Sequence, residues 1–407
     1  MNAEHTTGLR RHLGLTLLVF YGVGTILGAG IYVLIGKVAG QAGMYTPLAF
    51  LVASILAAFS AFSYAELSSR FPKSAGEAVY IKEGLNSKHV AILVGLMIIA
   101  AGMTSTATLL NGLLGYMAEF FSFNNHLMIL IIVLVITTIV IWGIAQSVLV
   151  AAIMTILEIL GLLIILWVTR DSWVELPVRI NEFIPIGEAS AFSAILLGAF
   201  VAFYAFIGFE DMVNVAEEVK NPQQTLPRGI IIALVVTTLL YFLIAMVSVL
   251  TVNPQQLAVS DAPLAYLYQV KTGQEPDFIA FISIASILNG ALVQIIMVSR
   301  ILYGMSKQDW LPAFFSKVNP VTATPINATI VVAVIILALA LLLPLLSLAK
   351  LTSFITLGIF SLINLALWRI KLREPVAPSI NIPLKVPVLG FVLSLSFLSY
   401  QLFEVLK

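Results

Sequence analysis

Two glycine-marked interruptions and one isolated acid are the places where this sequence can do chemistry. The stretch from Gly22 to Gly30, GVGTILGAG, sets four glycines in nine residues within an apolar run of helical length. Glycine weakens a helix by ~1 kcal/mol relative to alanine. A span built this way either packs closely against a neighbour or opens its own hydrogen bonding. In a later span, Gly208 stands among Phe206, Phe209 and Glu210 in FYAFIGFEDM. One glycine-rich span is explained by packing. Two interrupted spans at corresponding points of two halves favour opened backbone, whose free N–H groups and carbonyls face a ligand at the membrane midplane. Glycine at 28 and 30 leaves no Cβ in the way of a ligand approaching the backbone. Glu158, in SVLVAAIMTILEILGLLIILWV, is the third candidate. A comparable charge at mid-span costs ~2.5–3.5 kcal/mol to insert, so an acid there is a functional candidate by default.

The elements that must position these groups are membrane helices. Of 407 residues, 60% are hydrophobic and 10% charged, and the mean hydropathy is +1.05, against roughly 45–50% apolar content in soluble domains. Apolar runs long enough to cross the ~30 Å of hydrocarbon fall near 13–38, 45–69, 89–120, 126–143, 147–169, 191–216, 228–252, 277–305, 326–345, 347–369 and 386–406. The runs are continuous and do not alternate, so eleven spanning helices are expected, in an all-α polytopic protein with short connections and one integral domain, 1–407. The first run is too long for a signal-peptide core.

Fifteen of the 21 lysines and arginines fall on the side of the N-terminus. The positive-inside rule then predicts a cytoplasmic N-terminus and, with an odd span count, an extracytoplasmic C-terminus, in the cell membrane. In the connector PKSAGEAVYIKEGLN, Ser74 and Glu77 have capping-box spacing and predict a short surface helix over about 75–84. In EEVKNPQQTLPRG, Asn221-Pro222 and Pro227 are expected to end the sixth run and restart the seventh.

Other function classes have little to hold. The net charge of +1 argues against a nucleic-acid partner, and the absence of cysteine excludes disulfides and thiolate sites. There is no metal-spaced cluster, phosphate loop or Gly-x-Ser-x-Gly elbow, so neither an enzyme nor a cofactor is expected.

Four segments in order, GVGTILGAGIYVLIG, YAELSSRFPKSAGEAVYIKEGLN, FYAFIGFEDMVNVAEEVKNPQQTLPRGI and SRILYGMSKQDWLPAFFSKVNPVTATPINA, resemble the amino acid, polyamine and organocation transporter superfamily. The resemblance covers essentially the whole chain and is closest to bacterial amino acid permeases of the cationic amino acid transporter branch. It implies the leucine-transporter fold: a first repeat over 13–169, an inverted second repeat over 191–369, broken helices 1 and 6, and an additional helix at 386–406. Members commonly have twelve spans, and this chain has one fewer.

The resemblance also implies secondary active transport of an amino acid by alternating access. A zwitterion needs partial positive charge at its carboxylate and acceptors at its ammonium. By similarity the carboxylate rests on the backbone of Leu27, Gly28, Ala29 and Gly30, with Ile26 on the floor. The ammonium meets the carbonyls of Tyr204, Ala205 and Ile207 next to Gly208, and Phe206 serves as an aromatic lid. Some cationic transporters carry an acid on the third span where this chain has Ala101 or Gly102, which favours neutral cargo.

Glu158 stands where bacterial relatives have a lysine, and Asn289 falls near it. Three roles are open for Glu158: ligating a sodium-like cation, shuttling a proton because burial favours the neutral acid, or plugging the ion site of an uncoupled exchanger. Glu210 is expected to cap the second half of span six. Exchange, cationic amino acid or polyamine cargo, and a nontransporting amino acid sensor are the alternatives. The implied partners are an amino acid, a proton or less readily sodium, and the lipid bilayer.

Overall fold

The computed structural model of the protein describes residue 11 and residues 13–28, 30–73, 76–120, 124–142, 148–185, 189–319, 322, 324–374 and 379–406. Among the described residues the only secondary structure besides helices is one parallel bridge, Leu13 to Val219. The α-helices, in chain order, are α1 (Leu15–Leu27), α2 (Gly30–Ala42), α3 (Thr46–Arg70), α4 (Gly76–Leu85), α5 (Lys88–Met117), α6 (Asn125–Trp142), α7 (Val148–Val168) and the short α8 (Leu176–Arg179). They continue with α9 (Ala189–Phe203), α10 (Pro222–Thr251), α11 (Pro254–Val259), α12 (Pro263–Thr272), α13 (Asp277–Lys307), α14 (Ile326–Leu342), α15 (Leu345–Arg373) and α16 (Lys385–Leu406).

Helix follows the apolar runs because only internal hydrogen bonding satisfies the backbone in hydrocarbon. Among the described residues, seven helical stretches are long and apolar enough to cross a membrane, and three shorter apolar helices lie at Asn125–Ile141, Met154–Val168 and Ile326–Leu342. Most ends move by a few residues from the sequence reading. The exception is α10, which starts at Pro222 and carries Pro227 inside it. Proline suits the first turn of a helix, where its missing N–H has no partner to lose. Pro227 therefore does not restart the helix as expected. Large apolar side chains such as Ile55, Leu134, Trp167, Val235, Leu239 and Phe281 point outward, the pattern of a lipid-facing surface.

Two expectations about the connectors change. The connection between α7 and α9 carries short helical turns over Arg170–Phe183, and α11 and α12 lie between α10 and α13, with α11 packed on α2. The predicted surface helix is α4, but it packs against α5 and α15 with Glu77, Tyr80 and Ile81 buried. Its aromatic and aliphatic bulk favours that burial, so Glu77 turns inward. Ser74, the other half of the proposed capping box, lies outside the described residues.

The most extensive packing sets α3 on α10, and α5 on α13 and α15. At one end, Glu66 is fully buried and accepts hydrogen bonds from Arg70 (2.8 and 3.0 Å), from Lys371 (2.8 Å to both oxygens) and from the Ile382 N–H (2.8 Å). A buried carboxylate is tolerated only when its lone pairs are met this completely. Here it ties α3 to α15 and to the chain entering α16.

Candidate functional site

The first interruption separates α1 from α2. The Gly28 N–H closes α1 on the Gly24 carbonyl at 2.9 Å, and helix resumes at Gly30. Ala29, named above as a carboxylate contact, lies outside the described residues. Carbonyls released by the break are met by hydroxyls from other helices: Tyr241 on α10 donates to the Ile26 carbonyl at 2.7 Å, and Ser286 on α13 donates to the Gly28 carbonyl.

The second interruption is tighter. After α9 come a 3-10 turn at Tyr204–Phe206, the extended Ile207, and Gly208 at φ +131°. A ten-residue 3-10 helix, Phe209–Glu218, follows. Runs of that length are uncommon and mark strain or a hinge. A Cβ on Gly208 would lie 2.4 Å from the Thr25 carbonyl oxygen, so both space and backbone angle require glycine there. The Gly208 N–H donates to Glu210 Oε2 at 2.8 Å, the cap expected of that acid, and the Gly208 carbonyl accepts from Thr25 Oγ1 at 3.0 Å.

The two breaks touch directly. Tyr241, besides its bond to Ile26, donates to the Ala205 carbonyl at 3.0 Å, and a Cβ on Gly30 would lie 2.5 Å from the Ala205 Cα. This corrects the picture of unpaired carbonyls ready for an ammonium. The Ala205 carbonyl already has Tyr241, and the Tyr204 carbonyl accepts the Ile207 N–H at 3.2 Å. A buried carbonyl left bare is costly, and the fold meets that cost with a tyrosine from a neighbouring helix.

Between the breaks lies a narrow cleft of ≈ 50 Å³, well below the ~300–1,000 Å³ of small-molecule sites, so in this conformation the breaks are nearly closed on each other. Ile26, Gly28 and Gly30 form one wall, Tyr204 and Ile207 another, and Asn289 on α13 a third. Tyr21, Ser105, Thr155, Asp211 and Gln294 add polar groups to the lining, and the sequence assigns a role to none of them. Hydroxyls in apolar runs usually bond their own helix, which hides those that do not. Asp211 had one available signal, its position three residues after Gly208. A second chamber opens beside the first and shares Ser105, Ile207, Asp211 and Gln294 with it.

Ala101 lines this second chamber. Leu27 is buried and lines neither, and Gly208 and Ala205 shape the second break from behind the wall. Phe206 is not on either wall. Its ring packs edge-on against Phe50 and Tyr241, with centroids 6.5 and 5.2 Å away, so in this conformation it is part of an aromatic core, not a lid.

Glu158 lies behind the cleft, 1% exposed, and among the described residues neither carboxylate oxygen has a hydrogen-bond partner. Its backbone carbonyl accepts the Tyr32 hydroxyl at 2.6 Å, and the Tyr32 carbonyl accepts the Tyr116 hydroxyl at 2.6 Å, which holds α7, α2 and α5 together. Ser286 on α13 stands beside Glu158, one turn before Asn289. Thus Asn289 faces the cleft and Ser286 the acid. Among the described residues no group of three His, Asp or Glu is arranged to hold a metal ion.

Among the described residues, no lysine, arginine or histidine lines either chamber. At the chamber's edge on α4, burial first and the nearby Glu210 carboxylate second push Glu77 up from 4.5 to about 8.

Comparison with known proteins agrees with this architecture. The family model described as amino acid permease matches residues 13–405. The branched-chain amino acid permease BcaP of Bacillus subtilis is 32% identical over 395 residues, covering 91% of this chain and 83% of that protein. Cationic amino acid transporter 4 (vacuolar) of Arabidopsis thaliana is 31% identical over 344 residues, 78% of this chain and 56% of its own length. The methylthioribose transporter of Bacillus subtilis is 28% identical over 413 residues, 94% and 86% respectively. With apolar helices that suit a multi-pass membrane protein, two facing helix breaks and a family match spanning nearly its full length, the chain belongs to the amino acid permease family.

Proposed function

We propose that this permease is a secondary active transporter that carries an amino acid across the cell membrane by alternating access. In this reading eleven helices span the membrane, the segments 13–169 and 191–369 form inverted repeats of five, and α16 is additional. The N-terminus is cytoplasmic and the C-terminus extracytoplasmic. The observation that carries it is the contact between the two breaks: Tyr241 bonding both, Thr25 bonding across, and one cleft between them. The α-carboxylate sits on the backbone from Leu27 through Gly30, and the ammonium at Tyr204, Ala205 and Ile207, where the Ala205 carbonyl shares its second lone pair with the ligand. Neutral amino acids are the default cargo, because α5 offers the small Ala101 and Gly102 where an acid would serve a charged side chain.

Glu158 is the coupling group. An anion there lacks any partner among the described residues, so the surroundings accept the neutral acid and favour proton coupling over sodium. Its link to the site is short: Ser286 stands beside Glu158 and donates its hydroxyl to the carbonyl of Gly28. A rearrangement of the break therefore changes what the acid can bond to.

Uptake of labelled neutral amino acids into proteoliposomes tests both parts. A pH gradient should stimulate the wild type and not Glu158→Gln. Equal gradient dependence in the two removes the proton role, and sodium dependence returns the metal-cation reading. Tight counterflow without net gradient-driven uptake supports an exchanger.

A further inference from the structure

The helices α3 and α10, which pack most extensively, leave a furrow on their outer side. They run antiparallel: Phe50 meets Tyr241 with ring centroids 5.7 Å apart, and at the other end Ser69 and the Gln223 carbonyl both bond the Ser379 hydroxyl. Between the helices lies an open groove of ≈ 400 Å³, against ≈ 50 Å³ between the breaks. Ser54, Ala58 and Ala61 of α3 form its floor, because their side chains are too small to fill the space, and Val235, Leu239 and Phe242 of α10 form one wall. The Ser54 hydroxyl is already spent on the Leu51 carbonyl of its own helix at 2.8 Å. What the groove offers a ligand is therefore apolar contact alone.

Length and charge select the occupant. Along α10 the groove runs from Ile231 to Phe242, ~17 Å at the helical rise, about one leaflet of a ~30 Å hydrocarbon core. That is the reach of an acyl chain, whereas a partner's spanning helix would need contact through the full thickness. One turn before Ile231, Arg228 is exposed and, among the described residues, makes no hydrogen bond or ion pair. The spacing 228, 231, 235, 239 keeps these residues on one side of the helix, so the guanidinium heads the groove at the end where α10 begins. Its planar set of N–H donors matches a phosphate. The geometry points to a site for one anionic phospholipid, with its phosphate on Arg228 and one acyl chain lying between α3 and α10. The site backs directly onto the helix breaks: the groove residues Leu51 and Phe242 are chain neighbours of Phe50 and Tyr241, and the Tyr241 hydroxyl bonds both breaks. A chain seated there holds α3 against α10 and stabilises the conformation in which the breaks are joined.

The full-length protein, stripped of lipid in detergent, is titrated with dioleoyl phosphatidylglycerol or dioleoyl phosphatidylcholine, and bound lipid is counted by native mass spectrometry. The two lipids share their chains and a phosphate and differ in net charge. The wild type should bind one phosphatidylglycerol about fivefold more tightly than phosphatidylcholine, the effect of one arginine on an anionic headgroup, and its melting temperature should rise as that lipid binds. Arg228→Gln should bring the ratio toward one, and Arg228→Lys should keep most of it. Ala58→Phe fills the groove and should abolish the first bound lipid of either kind. Should that variant not fold, Val235→Trp obstructs the groove from its exposed rim. Equal binding of the two lipids by the wild type, or a ratio unmoved by Arg228→Gln, overturns the proposal. Inorganic phosphate that raises the melting temperature as much as phosphatidylglycerol identifies a bare anion site and overturns the role of the groove. Lipid-stripped protein that dimerises, and becomes monomeric with Ala58→Phe, makes the occupant a second copy of the chain and overturns the lipid.

Discussion

The two helix interruptions do the same job by different means. The first is generous with glycine: Gly28 sits where an added Cβ would make only ordinary contacts at 3.5 Å, and its freed carbonyls are met by side chains from α10 and α13. The second has one glycine that nothing else can replace. Gly208 combines φ +131°, a carbonyl oxygen 2.4 Å from its missing Cβ, and both of its backbone groups in defined bonds. The first break is thus held from outside and the second from within. A ligand's carboxylate has room at the first, whereas the second is the rigid reference against which it is positioned.

That contrast can be broken experimentally, and the largest effect is expected at Gly208. Gly208→Ala adds a left-handed backbone penalty of ~1–2 kcal/mol to an overpacking cost of ~1–3 kcal/mol. The variant should show a large fall in melting temperature in detergent, or no monodisperse protein by size-exclusion chromatography. Wild-type stability would remove the claim that this break is internally locked.

Gly30→Ala comes next, because its Cβ meets the Ala205 Cα at 2.5 Å and the breaks must separate, at ~1–3 kcal/mol. Gly28→Ala is its control: melting should be near wild type while amino acid affinity falls, since the methyl enters the cleft. Equal loss of stability in both would make the glycines of the first break a packing device only.

Tyr241→Phe removes a hydroxyl that bonds both breaks. Two buried carbonyls then lose their partner, and a loss of ~1–3 kcal/mol is expected, read as reduced melting temperature together with weaker binding. An unaltered affinity would mean the breaks do not need to be joined.

The smallest effect tests the acid-lined chamber. Glu77 has its ordinary 4.5 raised to about 8 by burial and by Glu210. The folded state therefore holds a proton that the unfolded chain releases above 4.5, and stability falls as pH rises from there toward about 8. Glu77→Gln should flatten that part of the melting profile while leaving the acidic limb unchanged. Parallel profiles would show that Glu77 is not titrating inside the fold.

Much of this was legible in the residues. The runs of apolar side chains dictate helices, and Gly28, Gly30 and Gly208 announce where those helices stop. The cap at Glu210 followed from a carboxylate two residues past a glycine. Hidden were the partners that come from distant parts of the chain: Tyr241 and Ser286 look like any hydroxyl in an apolar span, and Phe206 beside a break looks like a lid until Phe50 and Tyr241 are seen to enclose it. Asp211 is hard to tell from Glu210 in the sequence because adjacent residues on a helix face different neighbours, and only packing tells which one meets the cavity.

The sequence by itself determined that this is a helical membrane protein with two interrupted spans and a lone acid at Glu158, because hydropathy, glycine content and isolated charge act locally. Tertiary structure decided that the interruptions touch, that Glu158 stands behind Ser286 and away from the cleft, and that three acids gather at one chamber. Those facts depend on which faces of α1, α5, α10 and α13 meet. That is set by close packing among residues far apart in the chain, where no local pattern records it.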